Sequence, residues 1–380
     1  MTITTRPARP DLADRTIVRD QTGLDTPCLV VDEATLRRNV AGMAAFAAGA
    51  GVGLRPHIKT HKTPEIARMQ MAAGAIGVTC AKLGEAEVMV DAGVTDVLMA
   101  YPTVGEAKTL RLLALLDRAR VTVAVDSREA AAGLNQAMAA RDRILDVYLE
   151  VNTGQDRAGV RPGDEVITLA REMARMPGLR LAGIMTHEGQ ANAAAPEDLE
   201  ETALAAGRAL VETAETLRGM GIPVGAVSVG STPAARYTPT VAGITEMRPG
   251  TYVFNDNSAF RYGRLGPDDC ALRVLATVIS RPAPDRAVID AGSKTLTMDG
   301  SLAVPGHGYV VGHPHATVAR LSEEHGVVTL DRDEGFRVGD RVEIIPNHVC
   351  PAVNLQDELF IIDDGRLSEV WTVAARGKVR

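Results

Sequence analysis

Aromatic residues are scarce in this chain, 3% of 380, with a single tryptophan. A core cannot then rest on stacked rings, and the 46% apolar content must come from alanine, valine, leucine and isoleucine, which suit buried parallel strands covered by helices. Cysteine is equally sparse. Cys28, Cys80, Cys270 and Cys350 are far apart and form no CxxC pair, which excludes a disulfide framework. No apolar run approaches the roughly 18 residues of a membrane span, and the polar, arginine- and proline-bearing N-terminus lacks the apolar centre of a secretory signal. A cytoplasmic protein is expected. The formal charge of −7 is spread without a basic block, so neither nucleic acid nor an anionic membrane is expected as a partner. Internal repeats and low-complexity linkers are also missing.

What is present is a rhythm. Apolar, β-rich runs recur at 53–59, 77–82, 97–101, 121–126, 147–152, 181–187, 226–231 and 246–253, most followed by a stretch with apolar residues at helical spacing. Alternating strand and helix signals imply parallel strands with right-handed crossovers, and eight such units fit a TIM-like (β/α)8 barrel over residues 33–262. After about Gly263 the pattern becomes short alternating runs separated by turn signals such as Met298-Asp-Gly, Val338-Gly-Asp and Asp363-Asp-Gly. This reads as a mostly antiparallel β domain of residues 263–380, joined by residues 1–32, whose strand Cys28–Asp32 would find a place in it.

Barrel active sites lie at the C-terminal ends of strands. Lys59, Lys82, Tyr101, Asp126, Asn152, His187, the Gly230-Ser231-Thr232 turn and Tyr252 fall at or just past those ends. Lys59 lies in Arg55-Pro-His-Ile-Lys-Thr-His-Lys, where Arg55, His57, His61 and Lys62 supply cations that would lower a lysine's pKa as a Schiff-base lysine requires. The plain alternative is a basic turn closing a strand. Phosphate needs N–H groups in a turn or at a helix start. Val229-Gly-Ser-Thr-Pro-Ala offers one, with Pro233 as first helical residue and Ser231 or Thr232 as cap, and Arg248-Pro-Gly-Thr-Tyr offers another. A lysine on the first strand facing phosphate turns on the last two is what pyridoxal 5′-phosphate would need.

In the β domain, Pro346-Asn-His-Val-Cys-Pro places His348 and Cys350 two apart, on one side of an extended segment, as a pair of metal donors with positions left for water and substrate. The cysteine favours zinc over magnesium. Glu323, Glu324 and His325 could assist, or form a solvated hairpin end.

Together these motifs resemble the D-threonine aldolase and D-serine dehydratase group of fold-type III pyridoxal-phosphate enzymes, with a barrel like that of alanine racemase. The resemblance runs from Asp25-Thr-Pro to Ala374-Ala-Arg-Gly. It implies that Lys59 carries the cofactor, with His57 beside it and His187 both catalytic and near the cofactor. Arg157 in Asp156-Arg-Ala-Gly-Val would contact the ring, Gly230, Ser231, Thr232, Gly250, Thr251 and Tyr252 would grip the phosphate, and His348 and Cys350 would bind the metal. It implies further a divalent ion (zinc or manganese, with magnesium a third candidate), a D-amino acid substrate and a homodimer. Thr186-His-Glu-Gly and Asn347-His-Val-Cys resemble the dehydratases of D-serine and 3-hydroxyaspartate. Pro351-Ala-Val-Asn-Leu-Gln-Asp and the tail from Trp371 to Gly377 resemble the aldolases, although many aldolases have aspartate where Cys350 stands. Retro-aldol cleavage of a D-3-hydroxy amino acid is therefore expected first and dehydration second. A metal-free racemase using Tyr309 as opposing base, or a non-catalytic pyridoxal-phosphate binder, are the remaining readings.

Overall fold

The computed structural model describes residues 17–18, 23–263, 265–299, 304–332 and 334–380, so Gly300 of the Met298-Asp-Gly turn lies outside the described residues. Two compact units divide the chain. One comprises 41–59, 64–250 and 378–380; the other comprises the described residues up to Val40, then 60–63 and 251–377.

β1 (Cys28–Asp32) leads directly into α1 (Glu33–Ala50), whose start is fixed by Asp32 accepting the Thr35 N–H at 3.0 Å. Parallel strands follow as β2 (Gly53–Leu54), β3 (Val78–Cys80), β4 (Asp96–Met99) and β5 (Arg120–Val125), then β6 (Leu145–Glu150), β7 (Leu179–Met185), β8 (Ala226–Val229) and β9 (Glu246–Met247). Helices α2 (Pro64–Ala72), α3 (Leu83–Asp91), α4 (Glu106–Leu116), α5 (Arg128–Ala139), α6 (Asp164–Met173) and α7 (Leu199–Gly219) connect them up to β8. Neighbouring strands pair in sequence order from β3 to β9, and β9 pairs with β2. Closure across the remaining seam comes from the Thr79 N–H donating to the Pro56 carbonyl at 2.8 Å and the Ile76 N–H to that of Leu54 at 2.9 Å. All eight expected strands are present, although the last is short: Glu246–Met247 gives way to a 3-10 turn, Thr251–Val253.

The strands bury both faces, hence their nearly continuous apolar character. Val121, Val123 and Val125 face one way, and Ala124 packs the other way with Leu98, Tyr148 and Met185. The inward face also carries charge. Arg55 donates to Glu246 at 2.8 Å and pairs with Asp96, Arg120 spans Asp96 and Asp146, and Arg180 completes the chain on Asp146. Gly77 makes room for this: it has φ +153°, and a Cβ there would lie 2.4 Å from Arg55 Nη1.

The second unit is a nine-stranded sheet built from β1, β10 (Leu272–Ala283), β11 (Arg286–Ile289), β12 (Tyr309–Val310), β13 (Ala316–Leu321), β14 (Gly326–Leu330), β15 (Arg341–Ile345), β16 (Glu358–Asp363) and β17 (Arg366–Thr372). Its order is β11-β14-β13-β12-β15-β10-β1-β16-β17, and β10 also pairs with β11, which closes six strands into a small antiparallel barrel. β1 does belong here, antiparallel to β10 and parallel to β16. β17 is absent from the sequence reading because its residues are exposed except Trp371, and such an edge shows little alternation. Two short helices, α8 (Ser293–Leu296) and α9 (Val349–Asn354), complete the unit.

Candidate active site

Beyond β2 the chain stays extended as far as His57, whose N–H donates to the Pro249 carbonyl at 2.9 Å, and then turns through the 3-10 segment Ile58–Thr60. Lys59 is half-buried on that turn, and its N–H donates to His57 Nδ1 at 3.3 Å. The expected crowd of cations around it is redistributed. Arg55 is committed to Glu246 and Asp96, whose carboxylates hold its charge firmly against burial. His61 and Lys62 are buried and fall in the β unit, where His61 Nδ1 accepts from the Thr63 N–H at 3.1 Å and Lys62 Nζ donates to Ala375 at 3.4 Å.

The groups that do bear on one another at this rim are Lys59, Arg157 and His187. Burial, then the charges of Lys59 and Arg157, push His187 down to about 3. Its Nδ1 bonds the Gly230 carbonyl, an acceptor, so this nitrogen carries the proton and Nε2 keeps its lone pair. His187 is thus a neutral imidazole whose Nε2 is a hydrogen-bond acceptor.

The Gly230-Ser231-Thr232 turn follows β8. The Ser231 hydroxyl is buried without a hydrogen-bond partner among the described residues, and Thr232 Oγ1 accepts the Gly250 N–H at 3.1 Å, linking the two turns expected to hold phosphate. Thr251 and Tyr252 belong to the other unit. The helix expected from Pro233 does not form. Pro239 follows too soon, disfavouring helical geometry at the residue before it, and a run of turns ends in the 3-10 segment Thr238–Thr240.

Glu188 and Arg248 were not singled out from the sequence. The Gly230 N–H donates to Glu188 Oε2 at 2.7 Å, and Arg248 donates to the Thr186 carbonyl at 2.6 Å and to Ser228 Oγ. Glu188, Gly230, Ser231 and Arg248 line one narrow recess. The available signals were the adjacency of Glu188 to His187 and the two-residue spacing of Glu246 and Arg248 on an inward strand face.

In the β unit, His348 and Cys350 do not sit on an extended segment. His348 is the extended residue that precedes α9, and Cys350 lies inside that helix. Their side chains nonetheless meet. Burial would depress His348, but its hydrogen bond to Cys350 and that group's charge, with Asp299 and Asp256, raise it to about 9. His348 Nδ1 lies 2.8 Å from Asp299 Oδ2, and Cys350 Sγ lies 3.2 Å from Thr60 Oγ1. Asp256, pushed up to about 6 by burial, accepts the Val349 N–H at 3.2 Å and so anchors the start of α9. Among the described residues no three His, Cys, Asp or Glu side chains converge as metal donors, so the site offers two. Glu323 and Glu324 pair with Lys294 at 2.9 and 2.7 Å on an exposed hairpin.

Residues 31–258 match the family model for the alanine racemase N-terminal domain, and 271–362 that for a putative serine dehydratase domain. D-threonine aldolase of Arthrobacter sp. is 36% identical over 358 residues, 93% of each chain. The chain belongs to the D-threonine aldolase and D-serine dehydratase family of fold-type III pyridoxal-phosphate enzymes.

Other members of this family are similar along nearly the whole length. D-threo-3-hydroxyaspartate dehydratase of Delftia sp. (strain HT23) is 34% identical, covering 86% of this chain and 91% of its own. The crystal structure of D-threonine aldolase from Filomicrobium marinum superposes with a TM-score of 0.88 at 36% identity, over 94% of this chain and 97% of that one. A D-threo-3-hydroxyaspartate dehydratase has been solved as a cysteine-to-alanine mutant in the metal-free form, with a TM-score of 0.86 at 33% identity over 92% of this chain and 97% of that one. The family's named members are aldolases and dehydratases, and the chain is a lyase of this kind.

Proposed function

We propose that this chain is a pyridoxal-phosphate and divalent-metal lyase that cleaves D-3-hydroxy amino acids by a retro-aldol reaction, as a D-threonine aldolase. The observation that carries the reading is the neutral His187, with its free Nε2, beside Lys59 at the rim that also holds the partnerless Ser231 hydroxyl. That buried hydroxyl, next to a glycine, fits a phosphate oxygen, and the half-buried Lys59 fits an aldehyde carbon. Bound pyridoxal phosphate would supply the electron sink for charge left at the substrate's α-carbon. Lys59 would hold and release the cofactor, Ser231 and Thr232 with the Gly250 turn would hold its phosphate, and Arg157 would face its ring. His187 Nε2 would accept the proton of the 3-hydroxyl as the Cα–Cβ bond breaks.

His348 and Cys350 fit a zinc or manganese ion by donor type, with Asp299 fixing the imidazole so that Nε2 is free to coordinate. A bound ion would supply Lewis-acid chemistry. In the solved mutants of D-threo-3-hydroxyaspartate dehydratase the mutated cysteine follows the mutated histidine by two positions, the spacing found here. The same cysteine supports the second reading, dehydration to a 2-oxo acid and ammonia, in which Lys59 takes the α-proton and hydroxide leaves.

Incubating the protein with D-threonine and D-serine, before and after chelation and with zinc or manganese restored, tests both. Glycine and acetaldehyde from D-threonine are expected, lost with chelator and in Cys350→Ala. A 2-oxo acid with ammonia would establish the dehydratase instead, and chelator-resistant inversion at the α-carbon would establish a racemase. A homodimer is proposed by family analogy, checked by mass in solution. Among the described residues no helix is long and apolar enough to cross a membrane.

A further inference from the structure

His187 and Glu188 leave β7 as sequence neighbours and close on the same residue beyond β8. His187 Nδ1 donates to the Gly230 carbonyl, while the Gly230 N–H donates to Glu188 Oε2 at 2.7 Å. Both backbone polar groups of Gly230 are therefore held by one dipeptide. A buried carboxylate is a costly way to accept one N–H, and Glu188 is only 1% exposed. Burial raises its pKa, opposed by the Arg248 guanidinium and by hydrogen bonds from the Gly230 N–H and the Thr238 hydroxyl. Arg248 is in turn fixed by Thr186 and Ser228, and it packs so close that a Cβ on Gly230 would lie 3.0 Å from it. The glycine is walled in on these sides. The group next to it with no partner is the buried Ser231 hydroxyl.

We propose that Glu188 is a positioning residue that, together with the Nδ1 side of His187, brackets Gly230, fixing the peptide groups on either side of it so that Ser231 meets the cofactor's phosphate. Glu188 also occupies the Gly230 amide, so the anion-binding register begins at Ser231 and not one residue earlier. The bracket rests on the pyridoxal-phosphate reading and deepens it. Its signature is selectivity for the phosphate, since a residue needed only for folding would weaken every ligand of the barrel alike.

The test titrates the apoprotein with pyridoxal 5′-phosphate and, separately, with pyridoxal, which lacks the phosphate. For Glu188→Ala, affinity for pyridoxal phosphate is expected to fall about 10–100-fold, the worth of a hydrogen bond to a charged group, with pyridoxal affinity unchanged. Glu188→Gln keeps the size and an acceptor oxygen and is expected to lose about fivefold, again for the phosphorylated ligand alone. It carries the test if the alanine variant does not fold. Equal weakening for both ligands, or unaltered affinity for pyridoxal phosphate, would overturn the bracket while leaving the cofactor assignment in place. Failure of the native protein to bind either ligand would sink that assignment as well.

Discussion

At the N-terminal ends of the barrel strands, Arg55 is shared by Asp96 and Glu246, Arg120 by Asp96 and Asp146, and Arg180 closes on Asp146. At the C-terminal ends, Lys59 and Arg157 both bear on an imidazole kept neutral, and the Ser231 hydroxyl is buried with nothing to bond. One end has paired these charges among its own residues. The other holds positive charge and a donor in reserve, the condition for binding a phosphorylated anion. A barrel separates stability from chemistry along its axis, and here the pairing pattern shows which end is which.

The sharpest way to break this comparison is Lys59→Ala. Turnover and the visible absorbance of the bound cofactor should vanish while the melting midpoint moves by no more than about 2 °C, because a half-buried rim lysine contributes little to stability. A spectrum unaltered by the change would refute the lysine's role.

The opposite end should respond in the opposite sense. Arg55→Ala strands the buried Glu246 beside Asp96 and should cost about 3–5 kcal/mol in urea unfolding. A loss below about 1 kcal/mol would show that this end is not held by its charges.

His187 links the two ideas through pH. Its folded pKa of about 3 lies below the value of 6.5 it regains on unfolding. Between those limits the unfolded chain binds a proton that the folded chain refuses, so stability falls as pH drops from 6.5 towards 3. The apoprotein's melting midpoint, followed from pH 7 to pH 4, should decline less steeply in His187→Gln. Parallel curves would mean that His187 takes up its proton alike in the folded and the unfolded chain.

The smallest effect is expected for Asp146→Asn. Arg180 and Arg120 hold the carboxyl below its usual range against burial, yet both arginines are mostly exposed, so about 1 kcal/mol is expected, shrinking with added salt.

The eight strands were legible because runs such as Val121–Val125 are apolar on both faces and each is followed by helical spacing. The same feature concealed the barrel's interior. In a strand covered on both sides, the alternate positions of Ser228, Glu246 and Arg248 look like interruptions, and which face is inward depends on closure that no single strand reveals. Lys59, His187 and the Gly230 turn could be read from their places after strands. Glu188 could not, because the Gly230 N–H it accepts follows β8, 42 residues further along the chain. The His348 and Cys350 spacing was visible, but the helix that brings them together was not: Pro351 two residues into α9 reads as a break and acts as a helix-starting residue.

The position of β1 has a consequence for biosynthesis. Val31 pairs with Leu272 and Val30 with Phe360, so β1 waits for neighbours translated well over two hundred residues after it. The eight-stranded barrel pairs in the order of translation and can close in the meantime. Throughout that interval the nascent Cys-Leu-Val-Val segment is an unsheltered apolar ribbon, the natural target for a holding chaperone and the first place where crowded expression would produce aggregates.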